Sequence, residues 1–364
     1  MNGPTPKPGI LDIPLYAPGK ATIAGVGKPI KLSANENALG CSPKAREAFL
    51  SAAGDLHLYP DMHATALREA IARRYDLEPT RLTVGAGSDE LFAIASHAYL
   101  EPGDNAVQPQ FGFAAWPIVV SAAGGVIRSA PERDFHVDVD AIASTVDART
   151  RIVFVANPAN PTGTQIPFAE IARLHAALPE SILLVIDGAY AEFATGADDY
   201  APEFALARDA KNVLVTRTFS KLHGLAALRL GWGYAAPSII AAMERVRLPF
   251  NTTRPAQAAA IAALADSDFA EASIRYVARE RAALAAFFTS LELGVLPSAA
   301  NFVTVRFGAT AKVTAGEMEK RLAAGGILVR GLANYGLDDC LRVTIGPDAD
   351  LAAFRAAFAA ALDA

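Results

Sequence analysis

Cysteine is nearly missing from this 364-residue chain: Cys41 and Cys340 are the only two. Two cysteines build neither a disulfide framework nor a metal knuckle, and they suit a reducing cytoplasm. The six histidines (57, 63, 97, 136, 175 and 223) show no HExxH or comparable ligand spacing, so no metal site is expected. An excess of basic residues is missing too. Lys and Arg number 33 against 38 Asp and Glu, for a net charge of −5 without a basic stripe. That balance speaks against a nucleic-acid surface. No segment approaches the roughly 20 apolar residues of a membrane helix. The opening MNGPTPKPGILDIPLYAPGK has no uninterrupted apolar stretch, so a secretory signal is not expected. There is no internal repeat, and no GxGxxG that would point to a dinucleotide-binding turn.

What is present is globular. Hydrophobic residues make up 52% and charged residues 20%, and the length suits two domains. The first thirty residues, rich in Pro and Gly, read as an irregular arm. From about residue 65, strand and helix signals alternate. RLTV, DNAVQ, GGVIRSA, TRIVFVA, SILLVID and NVLVTR are short β-branched runs of the type used by buried parallel strands. Helix-periodic segments such as FAEIARLHAAL lie between them. This is the α/β pattern of a mostly parallel sheet covered by helices on both faces. After residue 240 a long helical stretch, then NFVTVRF, ILVR and LRVTIG between further helices, reads as a smaller α+β domain. The expected division is an arm over 1–30, a large domain over 61–245 and a discontinuous small domain over 31–60 and 246–364.

Ligands of α/β sheets bind beyond the carboxyl ends of the strands, and four such places carry unusual residues. In VGAGSDE, residues 84–90, a strand meets a helix across two glycines, with Ser88 and Asp89 at the expected N-cap. Free amides and the helix dipole there suit a phosphate, although an ordinary capped turn looks the same. In VANPANPTG, Asn160 precedes a proline that pushes it towards an extended conformation; alone, this is a rigid loop. In VIDGAYAEF, Asp187 ends an apolar strand, where a carboxylate is costly unless a donor meets it; alone, it reads as a helix cap. Tyr190 follows three residues on. In TFSKLHGLAALRLG, Ser220 and Lys221 follow a strand, with Thr218 before them and Arg229 among leucines after them. A lysine beside other cations in a partly desolvated cleft becomes a nucleophilic amine; alone, it is a surface charge. Together these residues supply a phosphate cradle, an amide, an acid, a phenol, a lysine and an arginine at the strand ends of one sheet.

On these motifs the chain resembles the fold-type I pyridoxal-phosphate aminotransferases, and among them the histidinol-phosphate aminotransferases. LYAPGK, LSANENALGCSP, HLYPD, GAGSDEL, NPANPTG, DGAYAEF, TFSKLHGLAALRLG, SAANFV and ILVRGLANYGLDDCLRVTIG carry the resemblance, in family order over nearly the whole chain. The resemblance implies pyridoxal 5′-phosphate held covalently by Lys221, with Asp187 on the pyridine nitrogen. Asn160 and Tyr190 would bond the ring hydroxyl oxygen. Ala86, Gly87, Ser88, Thr218, Ser220 and Arg229 would hold the phosphate, and Phe111 would stack on the ring. Tyr59 would reach the cofactor of a second subunit, which implies a homodimer with shared sites. Arg342 would grip the substrate's anionic group, with Arg330 nearby and Tyr16 and Asn35 lining the substrate side. The implied reaction exchanges an amino group between L-histidinol phosphate and 2-oxoglutarate, in histidine biosynthesis.

An aromatic amino acid aminotransferase using the same pocket is the alternative. A phosphothreonine-type decarboxylase and a non-catalytic cofactor-binding protein are more distant rivals. The chain departs from the family pattern at Ala159, usually Asn, at Gly188, usually Glu, and at His223, where an aromatic residue is common.

Overall fold

The computed structural model describes residues 3–25, 27–194, 203–309 and 311–363. A seven-stranded sheet dominates. Its strands lie side by side in the order Leu82–Gly85, Gly231–Ala235, Val213–Thr218, Leu183–Asp187, Thr150–Ala156, Asn105–Pro109 and Val126–Ala130. All run parallel except Gly231–Ala235, which is antiparallel to both of its neighbours.

Successive side chains of a strand point to opposite faces, and here both faces are dry. Val153, Val155, Leu184, Ile186, Val213 and Val215 enter one apolar cluster. Their alternates Ile152, Phe154, Leu183, Val185 and Leu214 enter another, on the other side of the sheet. That is why these strands read as continuous apolar runs rather than as alternating ones.

All six expected strands form. Gly231–Ala235 carries no such sequence signal, because two of its five residues are glycine. Gly231 is required there: a Cβ would collide with the backbone nitrogen of Ser88 on the neighbouring loop. Its antiparallel direction brings the residues before it, including Arg229, to the edge where the parallel strands end.

A third cluster is built from the helices Ser267–Ser290, Ala315–Ala324 and Asp348–Asp363 against a sheet of Phe302–Arg306, Leu337–Thr344 and Arg330–Leu332. Leu32 joins this cluster, and the strand Ile30–Lys31 pairs in parallel with Ile327–Leu328.

The expected boundaries at 60/61 and 245/246 do not coincide with this packing. Ala45, from helix Pro43–Ala52, and Ala256, Ala259, Ala260, Ala263 and Leu264, from helix Arg254–Leu264, pack in the cluster of the large sheet. Small alanine faces let these two helices lie close together, so the later part of 31–60 and the start of 246–364 side with the large unit. Among the described residues, no helix is long and apolar enough to cross a membrane.

Candidate active site

One cavity, of about 440 Å³, opens where the carboxyl edge of the large sheet faces the smaller one. Its size is that of a small-molecule site. The register shows why one edge collects so many functional groups: Asp187 pairs with Ala156 and with Thr216, while Thr218 and Gly85 both pair with Gly231. The residues following Ala156, Asp187, Thr218 and Gly85 therefore emerge side by side. Asn160, Asp187, Tyr190, Thr218, Ser220, Lys221, Ser88 and Arg229 all line the cavity.

Lys221 projects into it. Its Nζ donates to the carbonyl of Ala34 at 3.3 Å and stands 5.7 Å from the centre of the Tyr190 ring. Burial, and then the guanidinium of Arg342, push its ammonium down to about 8. The amine is thus mostly charged near physiological pH, with a neutral minority far larger than an ordinary lysine has.

Asp187 is 6% exposed. Its Oδ1 accepts from the Ala189 N–H at 3.1 Å and from the Thr216 hydroxyl at 3.3 Å, while Oδ2 accepts no hydrogen bond among the described residues. Burial, reinforced by Asp89, lifts the carboxyl to about 7. A buried acid with an idle oxygen calls for a donor opposite it.

Arg229 is half-exposed at the far end. It is a left-handed residue (φ 49°) that ends the short helix Ala226–Leu228. Its Nη1 reaches Ser220 Oγ at 3.5 Å and its Nη2 pairs with Asp89 Oδ2 at 3.0 Å. The guanidinium packs its Nη2 end against Gly87, where a Cβ would come within 2.5 Å of Nη2. That close approach explains the glycine, which also caps the helix Ser88–Tyr99 at φ 82°. Ser88 and Asp89 therefore occupy the first helical turn instead of the cap. Their N–H groups have no intrahelical acceptor and, with Arg229 and Ser220, form an anion cradle.

Two phosphate assignments are corrected. The Ala86 N–H donates to Glu90 Oε2 at 2.6 Å and the Gly87 N–H to the Gly85 carbonyl at 2.8 Å, so both donors are engaged within the loop.

The other end belongs to Arg342. This guanidinium is 6% exposed. Its Nη1 donates to Asn160 Oδ1, its Nη2 to the Ser33 carbonyl at 3.2 Å, and its buried Nε meets no acceptor. Arg330 faces it across the sheet register and holds the carbonyls of Ala17 and Pro18 at 2.7 and 2.8 Å, drawing the arm with Tyr16 over the cavity. Asn35 donates to the Tyr190 hydroxyl at 2.9 Å and is itself fixed by Thr344.

Phe111 does not line the cavity. It stacks on Phe135 with centroids 6.0 Å apart, and Phe113, two residues on, provides the aromatic wall. Tyr59 stands outside the cavity, 77% exposed and stacked on Phe250.

Two of the three departures from the family pattern, Gly188 and His223, have local explanations. Gly188 leaves room for the buried Arg217, which donates to the Gly188 carbonyl at 2.8 Å and pairs with Glu203 at 2.9 Å. His223 is buried against Phe219, and burial drops its pKa to about 4, so it puts no charge beside Lys221 at neutral pH. The sequence reading missed Asp89 as the partner of Arg229, although GAGSDE contains it. It also missed Phe113 and Tyr335, another lining residue, which no sequence pattern marks.

The arrangement pairs a depressed lysine, a protonatable acid and two separated arginine sites. It accords with the match of residues 27–358 to the family model for aminotransferase class I and II. The chain belongs to the class I and II aminotransferases. This aminotransferase is 54% identical, over 94% of its length and 95% of the relative's, to histidinol-phosphate aminotransferase 1 of Caulobacter vibrioides. It is 48% identical to the histidinol-phosphate aminotransferase of Rhodospirillum centenum, over 96% of each chain. Its structure resembles that of the histidinol-phosphate aminotransferase of Sinorhizobium meliloti in complex with pyridoxal-5′-phosphate. The TM-score is 0.89 at 31% identity, covering 98% of this chain and 97% of that one. The fold is thus that of fold-type I, as the strand pattern implies.

The cavity fits such a cofactor. The idle Asp187 oxygen suits a pyridinium N–H, the cradle at Ser88, Ser220 and Arg229 suits a phosphate, and Lys221 lines the same cavity.

Proposed function

We propose that this aminotransferase passes an amino group between L-histidinol phosphate and 2-oxoglutarate, with imidazole-acetol phosphate and L-glutamate as the partner pair, in histidine biosynthesis. The carrying observation is the presence of two anion sites in one cavity: a cradle around Arg229 for the cofactor's phosphate, and Arg342 with Arg330 for a second anion on the substrate. The high identity to histidinol-phosphate aminotransferases supports the same reading.

The enzyme uses pyridoxal 5′-phosphate, which when bound supplies an electrophilic carbon for amines and a ring that accepts the electrons of the broken Cα–H bond. The chain's own groups do the rest. Lys221 would anchor the cofactor, and its Nζ, with a lowered pKa, is the group that would take and return the proton at the substrate's Cα. Asp187 would hold a proton on the pyridine nitrogen, Asn160 and Tyr190 would orient the ring oxygen, and Thr218, Ser220, Ser88 and Arg229 would hold the phosphate. Arg342 binds either the carboxylate of glutamate or the phosphate of histidinol phosphate, since a guanidinium fork suits both. Tyr16, Asn35 and Arg330 close the substrate side.

Initial-rate measurements test this. Parallel lines in double-reciprocal plots and a higher kcat/KM for histidinol phosphate than for phenylalanine are expected. A preference for phenylalanine would replace the reading with the aromatic one.

A second copy of the chain completes the assembly in this reading. Leu56, Leu58, Tyr59 and Phe250 expose an apolar concavity away from the chain's own site. Sedimentation of the wild type as a monomer at micromolar concentration would remove the dimer. Cys41 and Cys340 are unpaired, in keeping with a cytoplasmic enzyme.

A further inference from the structure

Three cavity residues come from one hairpin. Arg330 and Arg342 lie on its two strands in direct register, and Tyr335 lies on the turn Ala333–Tyr335 between them. Gly336, at φ 76°, closes that turn. The tyrosine ring packs against the small apolar cluster of Leu332, Leu337 and Cys340, which fixes its direction. Its hydroxyl bonds no side chain among the described residues, and the Ala114 N–H lies against its oxygen. Burial keeps the phenol protonated well above neutral pH, against the pull of Arg342 and Arg330. The result is a phenol O–H without a side-chain acceptor, on the cavity wall with two guanidinium groups.

The chemistry of the two substrate anions gives that donor a purpose. A carboxylate has two oxygens, and one guanidinium fork can satisfy both. A phosphate monoester has three terminal oxygens. Arg342 already gives Nη1 to Asn160 and Nη2 to Ser33, and Arg330 holds two arm carbonyls. One N–H on each of those Arg342 nitrogens stays free, enough for two phosphoryl oxygens as for a carboxylate, while Arg330 faces the arm, so the third phosphoryl oxygen is open to another donor.

We propose that Tyr335 is a specificity-determining residue, whose O–H donates to the third phosphoryl oxygen of a phosphate-monoester substrate and has no counterpart oxygen in a carboxylate substrate. The inference rests on the reading of the second anion site given above.

Tyr335→Phe keeps the ring and removes only the donor. In the holoenzyme, the ratio of kcat/KM for histidinol phosphate to that for glutamate is expected to fall about tenfold or more, chiefly through KM, as for a lost hydrogen bond to a charged group. A ratio within about twofold of wild type, whether both activities fall together or neither does, overturns the proposal.

A second measurement does not require that histidinol phosphate be a substrate. Propyl phosphate should inhibit the glutamate half-reaction of the holoenzyme, whose cofactor cradle is filled, and its inhibition constant should rise about tenfold in Tyr335→Phe. An unchanged constant, or no inhibition of the wild type, overturns the proposal. If the wild type ignores histidinol phosphate while propyl phosphate behaves as expected, the proposed substrate falls and the role of Tyr335 stands. The absorption spectrum of the bound cofactor in Tyr335→Phe should match the wild type, and a shifted spectrum would assign the residue to the cofactor instead.

Discussion

The two ends of the cavity are built in opposite ways. At the cofactor end, Ser88, Asn160, Asp187, Thr218, Ser220 and Lys221 all end or follow strands of one sheet, and the register of that sheet sets their spacing. At the substrate end, Tyr16 and Asn35 come from near the N-terminus and Arg330, Tyr335 and Arg342 from a hairpin some 300 residues later, with backbone carbonyls of the arm between them. The first end is a property of a rigid edge. The second is a property of how an irregular arm and a separate small sheet are docked. In the proposed reading, chemistry common to every substrate sits on the rigid end, and discrimination between substrates sits where small changes in docking alter it.

The contrast can be broken at either end, and the largest effect is expected at the first. Lys221→Ala should lower kcat by roughly 10³-fold or more, because it removes both the anchor and the proton carrier. Borohydride treatment should then leave no cofactor on the chain by mass spectrometry.

At the second end, Arg342→Ala should lower kcat/KM about 10²-fold for both the phosphorylated and the carboxylate substrate, since a buried charge and its fixed hydrogen bonds are lost. Arg342→Lys should not restore the rate, because an ammonium lacks the planar fork.

Stability separates the ends further. Asp187 is held near 7 in the folded protein, mainly by burial, against an ordinary carboxylate range in the unfolded chain. The folded state therefore binds the extra proton, and the cofactor-free protein loses stability as pH rises through that interval. Asp187→Asn should be more stable than wild type without cofactor at pH 8, by about 2–4 kcal/mol, with the advantage shrinking towards pH 5 in thermal denaturation. The same substitution should slow turnover.

The smallest effect belongs to Asp89, whose carboxylate sits on Arg229 where a phosphate would lie. The pair is half-exposed, so displacing it costs little. Asp89→Asn should raise the affinity of the cofactor-free protein for inorganic phosphate by no more than about fivefold in calorimetry. A loss of affinity would mean that Asp89 aims Arg229 instead of competing for it.

Six of the seven strands of the large sheet were legible, five because burial on both faces forces apolar runs and the edge strand Val126–Ala130, largely exposed, from its β-branched residues. The seventh was not, since Gly231 answers to the approach of Ser88 and not to strand propensity. The helices Pro43–Ala52 and Arg254–Leu264 looked as though they belonged to the small unit by position along the chain, yet their alanine faces pack with the large sheet. Phe111 and Phe113 are indistinguishable as letters in QPQFGF, and only the turn of the loop decides which ring faces the cavity.

The sequence by itself determined the sheet and the residue types at its carboxyl edge, because hydrophobic runs and the residues that end them are local in the chain. Tertiary structure alone decided that Asp89 rests on Arg229, that Arg342 meets Asn160, and that Arg330 holds the arm over the cavity. Those facts depend on distances between segments far apart in sequence, which no local pattern encodes.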